Sequence, residues 1–237
     1  MLTDLLKWGG GKRPDPPGRG GDDPSARDEP IVASKAFPKF VATLSQKESP
    51  ILLDLGPVIG SNVGFCGERL GCKLFIEDLL ADIDRNLRGT AKIDLATSMP
   101  TRFSHADGTI DGILCWDLFD YIDKAAAQGL AGQIVRMLRP GGAVMGFFCS
   151  TAVEQAPFTK FEIVDEKTLR HRHHPGAGGK KVSLPNRDIL RMFEGLVVAD
   201  SFLLKNNTRE MLLRKKIVAT PSESEEPAAA AATPAKT

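Results

Sequence analysis

The stretch from Pro50 to Gly64, PILLDLGPVIGSNVG, narrows the possible folds more than any other part of the chain. The apolar run Ile51–Leu55 carries Asp54 near its end, then passes through Gly56 and Gly60 into a helix start at Asn62. A strand apolar on both faces is covered on both faces, as the central strand of a parallel sheet is. A buried strand that breaks at glycines and turns into a helix is a nucleotide-binding edge of an α/β sheet. Glycine has no Cβ, so the main chain can turn sharply there and come close to a ligand.

The rest of the chain repeats this alternation. Helix Asn62–Leu70 leads to a strand at Lys73–Glu77, helix Leu79–Leu87 and a short strand at Ala91–Leu95. Ile110–Trp116 is an apolar strand. Asp123–Leu138 then places Ala126, Leu130, Ile134 and Leu138 at helical spacing until Arg139-Pro-Gly-Gly142 stops it. Ala143–Cys149 is a further strand. Alternating strands and helices predict a doubly wound, mostly parallel sheet. The alternation breaks after helix Asn186–Glu194, where runs Leu196–Leu204 and Glu210–Val218 flank Lys205-Asn-Asn-Thr208. That is a hairpin, so the final strand runs antiparallel to its neighbour. Phe158–His174 reads as a strand-like insertion after the fifth parallel strand, with Gly176–Gly179 as its turn, and Ile31–Gln46 as a helix broken at Pro38.

These elements make one folded unit, residues 31–218, between segments 1–30 and 219–237 whose Gly, Pro, Ser, Glu and Ala content predicts disorder. Met1–Trp8, with Leu2, Leu5, Leu6 and Trp8, reads as a frayed terminus or a short amphipathic docking turn. A formal net charge of +1 argues against nucleic-acid binding driven by bulk electrostatics. No apolar run approaches the roughly 20 residues that span a bilayer. Cys66, Cys72, Cys115 and Cys149 have neither metal nor disulfide spacing, which points to a reduced, cytoplasmic protein.

In element order and in motifs, residues 50–218 resemble the class I S-adenosylmethionine-dependent methyltransferases. That family ends its first strand in an acidic residue followed by Gly-x-Gly-x-Gly. Asp54, Gly56 and Gly60 match the acid and the outer glycines, and Val58 stands where the middle glycine would be. The resemblance implies a seven-stranded, Rossmann-like sheet with an antiparallel C-terminal hairpin strand, S-adenosylmethionine as cofactor, and a small-molecule or macromolecular methyl acceptor. It places Gly56–Asn62, with Asn62, along the methionine half of the cofactor. Glu77, at the end of the second strand, would hold the ribose hydroxyls, with Asp78 as the alternative if the strand ends one residue later. Asp94 would accept the adenine amino group.

The loop Trp116–Tyr121 would face the acceptor. Trp116 offers a stacking surface, and Asp117, Asp120 or Tyr121 could hold or deprotonate a nucleophile. The plainer alternative gives Trp116 and Phe119 to the core and an aspartate to a helix cap. His171, His173 and His174 lack a third ligand at suitable spacing and sit beside Arg170 and Arg172, so they read as solvated or substrate-contacting groups with no metal. Two other functions stand beside methyl transfer. One is a methyltransferase-fold binding or scaffold protein without catalysis, its partners met through the terminal segments. The other, a nicotinamide-dependent oxidoreductase, needs Gly-x-Gly-x-x-Gly, which is absent.

Overall fold

The computed structural model describes residues 29–90 and 93–217, with the side chains of residues 174–177 outside the description. Residues 1–28 and 218–237, and with them the docking turn at Met1–Trp8, lie outside it. Glu29 and Pro30, expected to be disordered, are described and ordered, Glu29 accepting from Arg172 Nε (2.8 Å) and Pro30 O from His171 N (3.1 Å). Nine strands form two sheets among the described residues. The larger sheet has the order β3-β2-β4-β5-β9-β8, built from β2 (Ile51–Asp54), β3 (Lys73–Ile76), β4 (Ile110–Trp116), β5 (Leu138–Cys149), β8 (Leu196–Leu203) and β9 (Thr208–Lys215). Strands β3, β2, β4 and β5 are mutually parallel, while β9 runs antiparallel between β5 and β8. This is the arrangement the sequence predicts, with six strands where seven were expected.

The described part of the expected strand Ala91–Leu95 has a local reason not to be one. Asp94 accepts hydrogen bonds from Thr97 N (3.3 Å) and Thr97 Oγ1 (2.6 Å), which caps a short helix, α4 (Leu95–Ser98). An aspartate is among the preferred N-cap residues because its carboxylate accepts from a backbone N–H two or three residues on. Residues 91 and 92 lie outside the described residues, and β3 is the last strand on that side of the larger sheet.

Successive residues of the central strands enter opposite cores, as the pleat requires. Leu53, Ile113, Cys115 and Val144 pack with helices α3 (Leu79–Leu87), α5 (Lys124–Met137) and α6 (Asn186–Met192). Leu52, Leu114, Ala143 and Met145 pack on the other face with α1 (Phe37–Leu44) and the turn of π-helix Phe65–Arg69, which continues the short α2 (Gly60–Gly64). At the opposite end of β4, buried Asp111 accepts from Ile51 N (2.9 Å), Lys47 Nζ (2.6 Å) and Arg139 Nη1 (2.8 Å), tying β2, β4 and β5 together. Burial opposes that carboxylate's charge, but these three donors outweigh it and hold its pKa below the usual range.

The smaller sheet departs furthest from expectation. Strands β6 (Val153–Ile163) and β7 (Thr168–Lys181) form a long antiparallel hairpin, and β1 (Ile31–Ala33) pairs with β7. The first residues of the expected helix Ile31–Gln46 are therefore a strand, and only Phe37–Leu44 is helical. The hairpin turns at residues 164–167, where Asp165 Oδ1 accepts from Lys167 N (2.7 Å) and Thr168 N (2.8 Å), and not at Gly176–Gly179. An aspartate that bonds the main chain two or three residues on is a turn former in its own right.

Candidate functional site

Register brings the candidate residues together at one edge. Asp54 pairs with Ile76 on one side and Leu114 on the other, so β2, β3 and β4 finish side by side. Glu77 N donates to Asp54 O (2.8 Å), which carries the alignment one residue past the strand ends. Asp54 itself is 2 % exposed, and its Oδ1 accepts from Gly56 N (2.9 Å) and from Trp116 Nε1 (2.6 Å). Burial pushes its pKa up to about 6, against the two hydrogen bonds, which favour the charged form.

The glycine loop is shaped around an indole. A Cβ placed on Gly56 would lie 2.6 Å from Trp116 Cδ1 and 2.7 Å from its Nε1, closer than side chains pack. Trp116 is 5 % exposed and has φ 50, the left-handed region. A bulky residue there costs roughly 1–2 kcal/mol, so its surroundings must hold it in place. Its ring stacks on Phe161 (5.2 Å between centroids, 4° between planes), and Phe161 stacks on Phe147 (4.8 Å, 7°). Val58 is 70 % exposed and does not fill the cleft, so the side chain standing in for the family's middle glycine is not what narrows it.

The β6–β7 hairpin lies across this edge, and the candidate residues are bonded to it. Asn62 Nδ2 donates to Phe161 O (2.9 Å), while its Oδ1 accepts from Ile163 N (2.7 Å). Tyr121 Oη donates towards Pro157 O (3.1 Å) and lies 3.4 Å from Asp117 Oδ2. Lys181 Nζ donates to Asp117 Oδ2 (2.8 Å) and sits 3.4 Å from Asp120 Oδ2. Asp120 is fully buried, and its Oδ1 accepts from Cys149 N (2.8 Å). Burial raises its pKa to about 7, with Lys181 pulling down and Asp117 pushing up. Burial also raises the Tyr121 hydroxyl, helped by the Asp117 charge, so this phenol keeps its proton and serves as a donor. Burial disfavours the Lys181 ammonium, yet Asp117 and Asp120 outweigh that and hold it charged. Sequence reasoning missed Lys181 because it reaches the loop from a distant strand.

The remaining candidates are less tightly gathered. Glu77 is partly exposed and faces Arg102 Nη2 at 3.5 Å. Asp78 caps α3 through Ala81 N (2.9 Å), and Asp94 caps α4 as described. Gly60 starts α2 in open surroundings. His171 is half-buried with its ring edge against Phe161 (4.9 Å), and burial lowers its pKa. That makes it a neutral member of the aromatic cluster, where a solvated or substrate-contacting group was expected. His173 is exposed, His174's side chain lies outside the described residues, and no group of metal-ligating side chains occurs among the described residues.

Two cavities flank the hairpin here. One of about 210 Å³ is lined by Pro57, Asp78, Leu80, Arg85, Phe158 and Lys160 among others. The other, of about 10 Å³, lies over Gly56 between Pro57, Leu80, Trp116 and Thr159. Small-molecule sites usually measure about 300–1,000 Å³, and about 10–15 Å³ holds one water. S-adenosylmethionine therefore fits this conformation only in part. The larger cavity, beside Asp78, has room and acceptors for polar parts of a nucleoside, whereas the space over Gly56, which the resemblance assigns to the methionine half, is filled by Trp116.

The strand order and the cleft at its carboxyl edge define a doubly wound α/β protein whose parallel sheet ends in an antiparallel hairpin. Among solved structures the chain is similar to the PH0226 protein from Pyrococcus horikoshii OT3 (15% identity, TM-score 0.46, 77% of this chain and 92% of that one). It is also similar to a S-adenosylmethionine-dependent methyltransferase from Clostridium acetobutylicum ATCC 824 (12%, TM-score 0.45, 76% and 92%). A third is the glycopeptide N-methyltransferase MtfA complexed with S-adenosylmethionine (14%, TM-score 0.43, 75% and 92%). No protein-family model matches the chain, and no curated protein does. Likeness at these identities and TM-scores says nothing of ligand or acceptor, which have to be read from the residues of this chain.

Proposed function

We propose that the protein is an S-adenosylmethionine-dependent methyltransferase acting on a small-molecule or macromolecular acceptor. The observation that carries this reading is the juxtaposition at the carboxyl edge. Asp54 and Glu77 end adjacent parallel strands in register, with the Gly56 turn beside them and a cavity of about 210 Å³ alongside. In an open α/β sheet that edge is where a ligand binds. Asp54, Gly56, Asn62 and Trp116 form the inner part of the site, with Gly60 exposed beyond them at the start of α2. Glu77, with Asp94 beyond it, faces the nucleoside half. Asp117 and Tyr121 line the acceptor side, where Tyr121 donates and Asp117, paired with Lys181, fixes the local charge. The described residues contain no helix long and apolar enough to cross a membrane. All four cysteines are free and buried, which supports a cytoplasmic setting.

Titration calorimetry with S-adenosylhomocysteine tests the reading. Wild type gives a binding isotherm, and Glu77→Ala weakens it about tenfold or more, the worth of a hydrogen bond to a charged group. Absence of heat and of any thermal shift at millimolar ligand would favour the second reading, a methyltransferase-fold binding module. That reading is supported by the indole filling the space over Gly56.

A further inference from the structure

Asn62, Trp116, Asp117 and Tyr121 share an unexpected property. Each spends its hydrogen-bonding or stacking capacity on the β6–β7 hairpin or on a side chain it brings. Phe161 covers the indole, its carbonyl takes the Asn62 amide, and Lys181 neutralises Asp117. The hairpin thus satisfies the groups that a ligand would otherwise meet.

The hairpin shares no ladder with the sheet it covers and is held to it by side chains, Phe158, Phe161, Ile163 and Leu169 among them. Strands β6 and β7 pair with each other and with β1, and neither contributes to the six-stranded sheet. Moving the smaller sheet would break no ladder of the larger one. The two cavities share Pro57 and Leu80 as lining residues, and hairpin residues close both, Phe158 and Lys160 the larger and Thr159 the smaller. With the hairpin and the indole withdrawn, they would join into one cleft running from Asp78 to Gly56.

We infer that Trp116 and the β6–β7 hairpin form a built-in plug, which shuts the methionine half of the cofactor channel and must withdraw before cofactor enters. This rests on the methyltransferase reading above and adds regulation of the same site. The left-handed backbone at Trp116 suits such a part, since it is held by the Asp54 bond and the Phe161 stack. A protein whose competent conformer is a minor one binds more weakly by the fraction open, and removing the plug restores that factor.

The test uses S-adenosylhomocysteine as probe and the full chain. Trp116→Gly removes the ring and suits the backbone there, while Phe161→Ala removes its cover and leaves the indole in place. Both variants should bind S-adenosylhomocysteine about tenfold tighter than wild type, or more. The chain has two tryptophans, so Trp8→Phe leaves Trp116 as the sole reporter. In that background ligand should shift the emission to longer wavelength, at a rate that levels off with concentration because opening precedes binding. Weaker binding by Trp116→Gly with Phe161→Ala unchanged would make Trp116 a cofactor contact and overturn the plug. Equal affinities with unchanged emission would overturn the plug and leave the cofactor reading standing. Failure of wild type and both variants to bind would overturn the cofactor reading, and the plug with it.

Discussion

Gly56→Ala separates two explanations of the glycine loop without any ligand. If Gly56 serves only a bound molecule, the ligand-free protein should accept a methyl group there. The backbone at Gly56 is not left-handed, so alanine would then stabilise by about 0.4–1 kcal/mol through the unfolded chain. The structure dictates the opposite. The new Cβ would meet Trp116 at 2.6 and 2.7 Å and Asp54 Oδ1 at 3.2 Å, and moving the ring would cost its bond to Asp54 and its stack on Phe161. Overpacking of this kind costs about 1–3 kcal/mol. For a domain of this size, about 2 kcal/mol lowers Tm by about 4–8 °C. The assay is urea unfolding of Gly56→Ala, Trp116→Gly and the double variant. Removing the indole removes both short contacts, so the alanine penalty should shrink by about 1–3 kcal/mol in the Trp116→Gly background. Trp116→Leu can replace Trp116→Gly if the glycine variant is too unstable to titrate. An alanine penalty that is absent, or equal in both backgrounds, would refute the idea that the glycine makes room for the indole.

Three further outcomes follow from buried charge. Asp54 has a folded pKa of about 6 and an ordinary one near 3.8 when unfolded, so the native state holds the extra proton between those values. Its contribution is present below about pH 4 and is lost as pH rises through about 6, a swing of ~3 kcal/mol, which Asp54→Asn should flatten in urea titrations across that window. Lys181→Met leaves Asp117 and Asp120 facing each other in a buried site and should cost about 3–5 kcal/mol. The loss should be greater at pH 8 than at pH 5, because Asp120, already near 7, then titrates higher still. Asp111→Ala strands Lys47, Arg139 and the Ile51 amide, so about 2–4 kcal/mol of stability should vanish with no change in the fluorescence of Trp116.

What could be read from the sequence was set by local signals. Helix α3 and strand β4 fall where the periodicity and apolar runs put them, and Asp123 caps α5 by accepting from Ala126 N. Two missed features also had local signals, the Asp94–Thr97 cap and the Asp165 turn. Others had none. Ile31–Ala33 becomes a strand because it meets Thr168–Arg170, well over a hundred positions away, and an apolar triplet does not announce that partner. Lys181 joins Asp117 for the same reason. The gathering of Asp54, Gly56 and Trp116 was legible because each sits at the end of a strand or in the turn just past it. The direction in which Trp116 points was not, since it depends on Phe161 and Phe147.

Gly56 therefore supports two explanations that sequence alone cannot separate. A glycine after a strand-end acid lets the main chain approach something closely, and the motif does not specify what. In this conformation that neighbour is the protein's own indole, bonded to Asp54 in the space where the resemblance puts the methionine half of a cofactor. The same absence of a Cβ that admits a ligand also admits the plug, so one residue type satisfies both the closed and the open state. Val58, largely exposed and absent from the lining of both cavities, is neutral in this competition. On the proposal above, hairpin and ligand would compete for Asn62, Trp116 and Asp117.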